Sequence, residues 1–454
     1  MPRRTAGGWP SREGGRSSGV FERPRGLCLC GHTALGRRVA QPSLLTEGGD
    51  SHRDRRSRRG RRRRGWRAVQ SARKEFAVVL DCKAFYDAMN GAGFDFYAGV
   101  PDSLLKDFCA YVTDHTPAER NVITANEGSA VGLAAGYYLA TGRPGVVYLQ
   151  NSGLGNTVNP LTSLADQACY GIPMLLIIGW RGEPGKKDEP QHVKMGSISR
   201  EVLDAIGVEW AELPQEPEAA LAAVQAAKER LAARPAPFAF LVRAGTFDKY
   251  KLQNKLTSPY AMSREDAIGL LLQHLPKNAK IVATTGMPSR ELYEHREIRG
   301  ERHDTDFLTV GSMGHSSQIA LGIALQQKDK QVFCLDGDGA VLMHMGGLAS
   351  IGTSGCTQYK HICLNNGAHD SVGGQPTVAF DVDLAKVASA CGYPAVFTVT
   401  TPEEIAETFP RFLAANGPAF LEVRVKVGHR DNLGRPKMAP AELKVAFMAA
   451  LAES

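Results

Sequence analysis

The chain of 454 residues has no apolar run approaching the ~18 residues that suggest a membrane-spanning helix, so no membrane partner is expected. Its nine cysteines show no zinc-like pairing: Cys28 and Cys30 lie near the N-terminus and the others are scattered. Free thiols in a reducing cytosol are the simplest reading, which implies a cytoplasmic protein. Acids are scarce only at one end. Residues 1–75 hold 19 Arg and one Lys against six acids, a net +14, so a total of +7 leaves −7 on the other 379 residues. The body is mildly acidic, and the overall basicity gives no ground for nucleic acid binding by it.

The Arg-, Gly- and Ser-rich stretch 1–75 cannot bury a core and is expected to be disordered. Three readings stand: a basic arm for nucleic acid, a transit peptide without an amphipathic face, or a segment outside the working protein. The remainder fits a globular α/β protein of two domains, with 43% apolar residues and 48 glycines in the whole chain.

The most informative stretch is residues 331–374, QVFCLDGDGAVLMHMGGLASIGTSGCTQYKHICLNNGAHDSVGG. An apolar strand-like run leads into Gly337-Asp338-Gly339, and a second apolar run leads into Asn365-Asn366. The glycines allow a tight turn and close backbone approach, and a following helix offers free N–H groups to an anion. Asp338 supplies a hard anionic oxygen and Asn366, 28 positions on, a neutral amide oxygen. Such ligands suit Mg²⁺ carrying a diphosphate. A strand, a crossover helix and a parallel strand bring both strand ends to one edge, where α/β sheets bind ligands.

This block resembles the signature of the thiamin-diphosphate enzymes, with Asn366 in the place of the metal-binding residue and Asn365 as the alternative. The resemblance implies thiamin diphosphate and Mg²⁺ as cofactors, with Asp338, Asn366 and Ala368 around the metal. It also implies cofactor contacts from Gly337, Gly339 and Ala340.

Elsewhere, strands alternate with helices, which implies two doubly wound parallel sheets. Residues 76–250 form the first domain, 251–262 the linker and 263–454 the second. In TANEGSAVGLAAGYYLATG a strand runs into Glu127 at the head of a small-residue helix. A first-turn acid suits the helix dipole. The resemblance gives it more: there the equivalent glutamate faces the aminopyrimidine ring, and burial would raise its pKa for that work.

Asp102, in GVPDSLL, reads equally as a helix N-cap and as the active-site acid that related decarboxylases carry after Gly-Val-Pro. The glycine turn QNSGLGN, with Asn151 and Ser152, resembles the substrate side of the family. Residues 180–196, WRGEPGKKDEPQHVKMG, read as a polar loop whose Arg181, Lys186, Lys187 and His192 suit an anion. In the second domain Thr284, Thr285 and Gly286 end a strand where a phosphate can bind. The turn Gly311-Ser312-Met313-Gly314 matches the family, with Gly311 accepting from the cofactor's amino group and Met313 wedged between its two rings. His315 and His369 join Asp102 as candidates for proton delivery.

The chain thus resembles the thiamin-diphosphate-dependent 2-oxoacid decarboxylases, pyrimidine-binding domain first and diphosphate-binding domain second, without the middle domain of the larger members. The resemblance implies decarboxylation of 3-phosphonopyruvate to phosphonoacetaldehyde and CO₂. The alternatives are another 2-oxoacid such as sulfopyruvate, or a silent phosphate-binding module. It further implies a homo-oligomer with the cofactor between the first domain of one subunit and the second of another.

Overall fold

The computed structural model describes residues 79–453; the expected disordered extension over residues 1–75 lies outside them. Twelve strands among the described residues form two six-stranded sheets within one compact unit. The first contains β1 (Tyr97–Gly99), β2 (Asn121–Ile123), β3 (Gly145–Gln150), β4 (Met174–Gly179), β5 (Glu209–Glu212) and β6 (Phe238–Val242). Its order is β2-β1-β3-β4-β6-β5. The second contains β7 (Lys280–Ala283), β8 (Asp306–Leu308), β9 (Val332–Gly337), β10 (Tyr359–Asn365), β11 (Ala395–Val399) and β12 (Ala419–Arg424), ordered β11-β12-β10-β9-β7-β8. Every strand pairing within the sheets is parallel, from Gly145↔Met174 to Gln150↔Gly179 between β3 and β4, for example.

Parallel sheets carry helices on both faces, so their central strands are apolar throughout. The period of two shows in the packing. Val146, Tyr148, Leu175 and Ile177 join the cluster on one face of the first sheet. Val147, Leu149, Leu176 and Ile178 join the cluster on the other. Phe333 and Leu335 of β9 likewise face away from Val332 and Cys334. Each fully buried Val, Leu or Ile contributes roughly 1.5–3 kcal/mol.

Local chemistry sets the helix ends. Asn126 caps the helix Glu127–Thr141 by accepting from the Ser129 amide at 2.9 Å, and Gly142 ends it at φ 70°. Ser263 and Asp266 form a reciprocal capping box at the head of Arg264–His274.

Some expectations need correction. The glycine turn expected over QNSGLGN is confined to its middle: Gln150 ends β3, Asn151–Gly153 is a 3₁₀ turn and Leu154–Pro160 a helix. The polar loop from residue 180 ends at Glu189, because Pro190 fills the first turn of the helix Pro190–Ala205, where its missing N–H costs nothing. The half-buried β5 carries too little apolar signal to be anticipated.

In each sheet the chain first moves to one edge and then crosses back, which sets a switch point between β1 and β3 in the first and between β7 and β9 in the second; the last strands, β6 and β12, then double back inside the opposite edge strands. Crevices open at such switch points, beyond the carboxyl ends of the strands.

Candidate active site

The two switch points face a single cavity of about 450 Å³. One wall comes from the ends of the first sheet, with Glu127, Gln150, Ser152 and Asn156. The other comes from the second, with residues 284–288, 310–313 and 337–340. Both of these walls are built by one chain. Asn126 ties them together, its amide donating to the Met343 carbonyl at 3.4 Å.

Glu127 is 5% exposed and accepts a hydrogen bond from Asn156 Nδ2 at 2.7 Å. Burial pushes its carboxyl above the ordinary glutamate value, and the Asn156 contact works against that rise. An uncharged Glu127 is therefore favoured more than in water, as a proton donor to a ring nitrogen requires.

Asp102 is fully buried and does not line the cavity. Its Oδ2 accepts from the amides of Leu104 (2.9 Å) and Leu105 (3.1 Å), and its Oδ1 from Gln150 Nε2 (2.6 Å). Gln150 stands between it and the cavity wall. The helix it introduces, Lys106–His115, starts later than the sequence suggests, with Asp102 holding the turn before it.

Arg181 borders the cavity. Asp188 holds its guanidinium through Nε (2.8 Å) and Nη2 (2.5 Å), and Nη1 donates to Ser103 Oγ at 2.6 Å. His192 also borders the cavity and is 9% exposed, and its Nδ1 has no partner among the described residues. Burial, then the Arg181 charge, lowers its pKa. The other anion-binding candidates lie elsewhere. Lys186 and Lys187 are exposed and outside the cavity. Asn151 is buried away from it, its amide donating to the Arg181 carbonyl and Ser199 Oγ. Ser152 lines the cavity and donates to Gln150.

On the second sheet, Thr284 is buried with no partner for its hydroxyl among the described residues, and Thr285 and Gly286 follow it along the cavity. Gly286 adopts φ 95° and opens the helix Met287–Arg299, whose first N–H groups suit phosphate oxygens. In the turn after β8, Ser312 has φ 55°, the one non-glycine with positive φ among the described residues. Such strain concentrates at functional sites. Gly311, Met313 and His315 all border the cavity. A β-carbon on Gly339 would meet Met313 Cε at 3.2 Å, so the Met313 side chain lies over the Gly337-Asp338-Gly339 turn and its neighbour Ala340.

Asp338 is 3% exposed and accepts from Thr377 Oγ1 at 2.6 Å; burial raises its pKa to about 6. Asn366 borders the cavity, and its Oδ1 accepts from the Ala368 amide at 3.1 Å. Asn365 does not: its side chain is spent on Ala379, Glu422 and the Gly367 amide. His369 lines the cavity, with its pKa pushed down to about 4 by burial.

Sequence reasoning did not single out Gln150, Gln191, Arg264 or His344, all of which border the cavity. Arg264 reads as an ordinary charged residue at a helix start, yet it is 4% exposed. The Gly-Asp-Gly block gives no hint of it.

Residues 82–201 match the family described as thiamine pyrophosphate enzyme, N-terminal TPP binding domain. Residues 284–423 match its counterpart, thiamine pyrophosphate enzyme, C-terminal TPP binding domain. Phosphonopyruvate decarboxylase of Streptomyces viridochromogenes is 39% identical, over 80% of this chain and 92% of its own. That of Streptomyces hygroscopicus is 37% identical over 79% and 91%. Sulfopyruvate decarboxylase of Methanosarcina acetivorans is 30% identical over 82% and 97%. The cavity that joins Glu127 to Asp338 thus lies between two segments that each match a cofactor-binding domain, and the chain belongs to the thiamin-diphosphate-dependent decarboxylases.

Proposed function

We propose that this chain decarboxylates 3-phosphonopyruvate to phosphonoacetaldehyde and CO₂, with thiamin diphosphate and Mg²⁺ held in the cavity. The observation that carries this reading is the cavity itself, with an acid at one wall, an oxygen-rich turn at the other and a cationic group at its border. Relatives named phosphonopyruvate decarboxylase are 37% and 39% identical, against 30% for the sulfopyruvate decarboxylase, which favours the phosphonate.

The residues present fit both cofactors. Asp338, the Asn366 amide oxygen and the Ala368 carbonyl form an all-oxygen set of the kind Mg²⁺ takes. Burial works against ionised Asp338, and a bound cation would compensate that cost. The unpartnered Thr284 hydroxyl and the helix start at Gly286 and Met287 suit a diphosphate. When bound, thiamin diphosphate supplies the electron sink that lets CO₂ leave.

The chain's own residues then have distinct duties. Glu127 donates to the pyrimidine ring. The Gly311 carbonyl would accept from its amino group, and Met313 would support the cofactor. Arg181, fixed by Asp188 and Ser103, and His192 receive the phosphonate; a planar guanidinium suits its oxygens. The carbon that loses CO₂ takes up one proton; of the candidates to deliver it, His315 and His369 border the cavity and Asp102 does not. The seven free cysteines among the described residues accord with a cytoplasmic protein, and no helix among them is long and apolar enough to cross a membrane.

A homo-oligomer belongs to this reading. The helix Glu127–Thr141 exposes Leu133 (39%) and Leu139 (73%), with open space over Gly132 and Gly136. A second copy covers this face.

A substrate panel tests the proposal: 3-phosphonopyruvate, sulfopyruvate, pyruvate and phenylpyruvate, each with thiamin diphosphate and Mg²⁺, followed by CO₂ release. The phosphonate is expected to give the highest kcat/KM. Preference for pyruvate would remove the substrate assignment, and no turnover of any of them would remove the activity.

A further inference from the structure

Three donors converge on Asp370, a residue just past the Asn-Asn pair. Its Oδ2 accepts from Arg264 Nη1 (3.0 Å), from Asn366 Nδ2 (2.6 Å) and from the Gly428 amide (3.2 Å). Arg264 is itself fixed, its Nε and Nη2 donating to Glu291 at 2.8 and 2.9 Å. The Arg264, Glu291 and Asp370 side chains are 5%, 1% and 7% exposed. The chain of contacts runs from Glu291 through Arg264 and Asp370 to Asn366, and Arg264 and Asn366 both border the cavity.

An asparagine side chain has two ends of nearly the same shape and opposite hydrogen-bonding character. Only the oxygen end can bind a cation. An ionised carboxylate only accepts, so beside Asp370 the amide must turn its NH₂ toward the acid and its oxygen away, where one lone pair also accepts from the Ala368 amide at 3.1 Å. The flipped amide would set two acceptors against each other at 2.6 Å. Arg264 keeps the carboxylate from rotating and offsets its charge in a setting where an unpaired ion is costly.

We propose that Asp370, anchored by Arg264, is a positioning residue that fixes the Asn366 amide with its oxygen available to the divalent cation. This rests on the reading of Asp338, Asn366 and Ala368 as the Mg²⁺ site. Nothing in the Gly-Asp-Gly and Asn-Asn pattern assigns a part to either residue. Partners of this kind set the orientation of a metal ligand, and losing one typically weakens affinity 10–100-fold.

The test is a double-mutant cycle on the full chain. Mg²⁺ is titrated into protein with saturating thiamin diphosphate, and binding is read by calorimetry and by intrinsic fluorescence, with no substrate present. Asp370→Asn is expected to raise the apparent Kd for Mg²⁺ by about 10–100-fold when residue 366 is Asn. In an Asn366→Asp background the same change is expected to cost nothing, or to tighten binding. A carboxylate has no wrong end, and the repulsion between two facing acids is relieved. Arg264→Lys, which cannot grip both acids as a fork, is expected to weaken binding by a smaller factor and to lose that effect in the Asn366→Asp background. It also serves if Asp370→Asn does not fold. An equal loss in both backgrounds, or no loss in either, overturns the positioning role. A parent chain that binds no Mg²⁺ with thiamin diphosphate overturns the metal site itself, and the proposal with it.

Discussion

Gly153 makes room for Glu127: a β-carbon on residue 153 would fall 2.3 Å from Glu127 Oε1. The backbone of Gly153, at φ −79°, is one that any residue adopts, so the glycine is there for space and not for conformation. Gly153→Ala is therefore expected to displace the carboxyl without disturbing the fold. A displacement of about 1 Å costs on the order of 100-fold in turnover. Steady-state CO₂ release should show that loss with the thermal unfolding midpoint little changed. Parent-like turnover would mean that the position of Glu127 does not matter.

Glu127→Gln should lower turnover by roughly 10²–10⁴-fold, the range for a positioned acid or base. It should also change stability in a pH-dependent way. Burial raises the Glu127 pKa above its ordinary 4.5 in the folded chain. Below 4.5 both states hold the proton. As pH rises above it the unfolded chain releases the proton first, so the parent loses stability until the folded carboxyl ionises too. Thermal unfolding without cofactor should find Glu127→Gln more stable than the parent at pH 8, with the gap closing toward pH 4.5. A parent that is the more stable at pH 8 contradicts the burial argument.

Asp188→Asn is expected to free the Arg181 guanidinium and raise KM for an anionic substrate by about tenfold, equivalent to about 1.4 kcal/mol, with kcat nearly unchanged. The Arg181 contact holds the Asp188 carboxyl below its ordinary 3.8. That stabilisation is present above pH 3.8 and lost as pH falls through the depressed pKa. The variant should thus be less stable than the parent at pH 7 and equal to it in strong acid. Lys186→Ala with Lys187→Ala, outside the cavity, should leave KM within about twofold. A large rise in KM from the lysine changes would move the anion site into the loop.

Asp102→Ala leaves the Leu104 and Leu105 amides without their acceptor and should cost about 1–3 kcal/mol of stability. Asp102→Asn keeps an accepting oxygen and should cost less. Both are expected to retain far more turnover than Glu127→Gln, because Asp102 stands behind Gln150. Loss of turnover with unchanged unfolding would place the acid in the chemistry after all.

The parts of the site that chain-local chemistry determines were legible in the sequence. Gly337 and Gly339 announce a turn, and Glu127 follows a capping Asn126 at the start of a small-residue helix. What could not be read is which polar groups the fold buries. Asn365 and Asn366 are neighbours with the same side chain, and strand alternation sends one into the second domain's interior and the other to the cavity. Lys187 and Arg181 look alike as anion ligands, and only the structure pairs Arg181 with Asp188 while leaving Lys187 in solvent. Arg264 and Asp370 stand 106 positions apart, and no local pattern links them.

The segment that joins β6 to the helix Arg264–His274 contributes nothing to the cavity walls. Its service is tethering: it keeps the half that bears Glu127 and the half that bears Asp338 at high mutual concentration. A cut there would remove no functional group and would convert a first-order assembly into a second-order one. Activity of the severed pieces would then depend on protein concentration and recover on mixing.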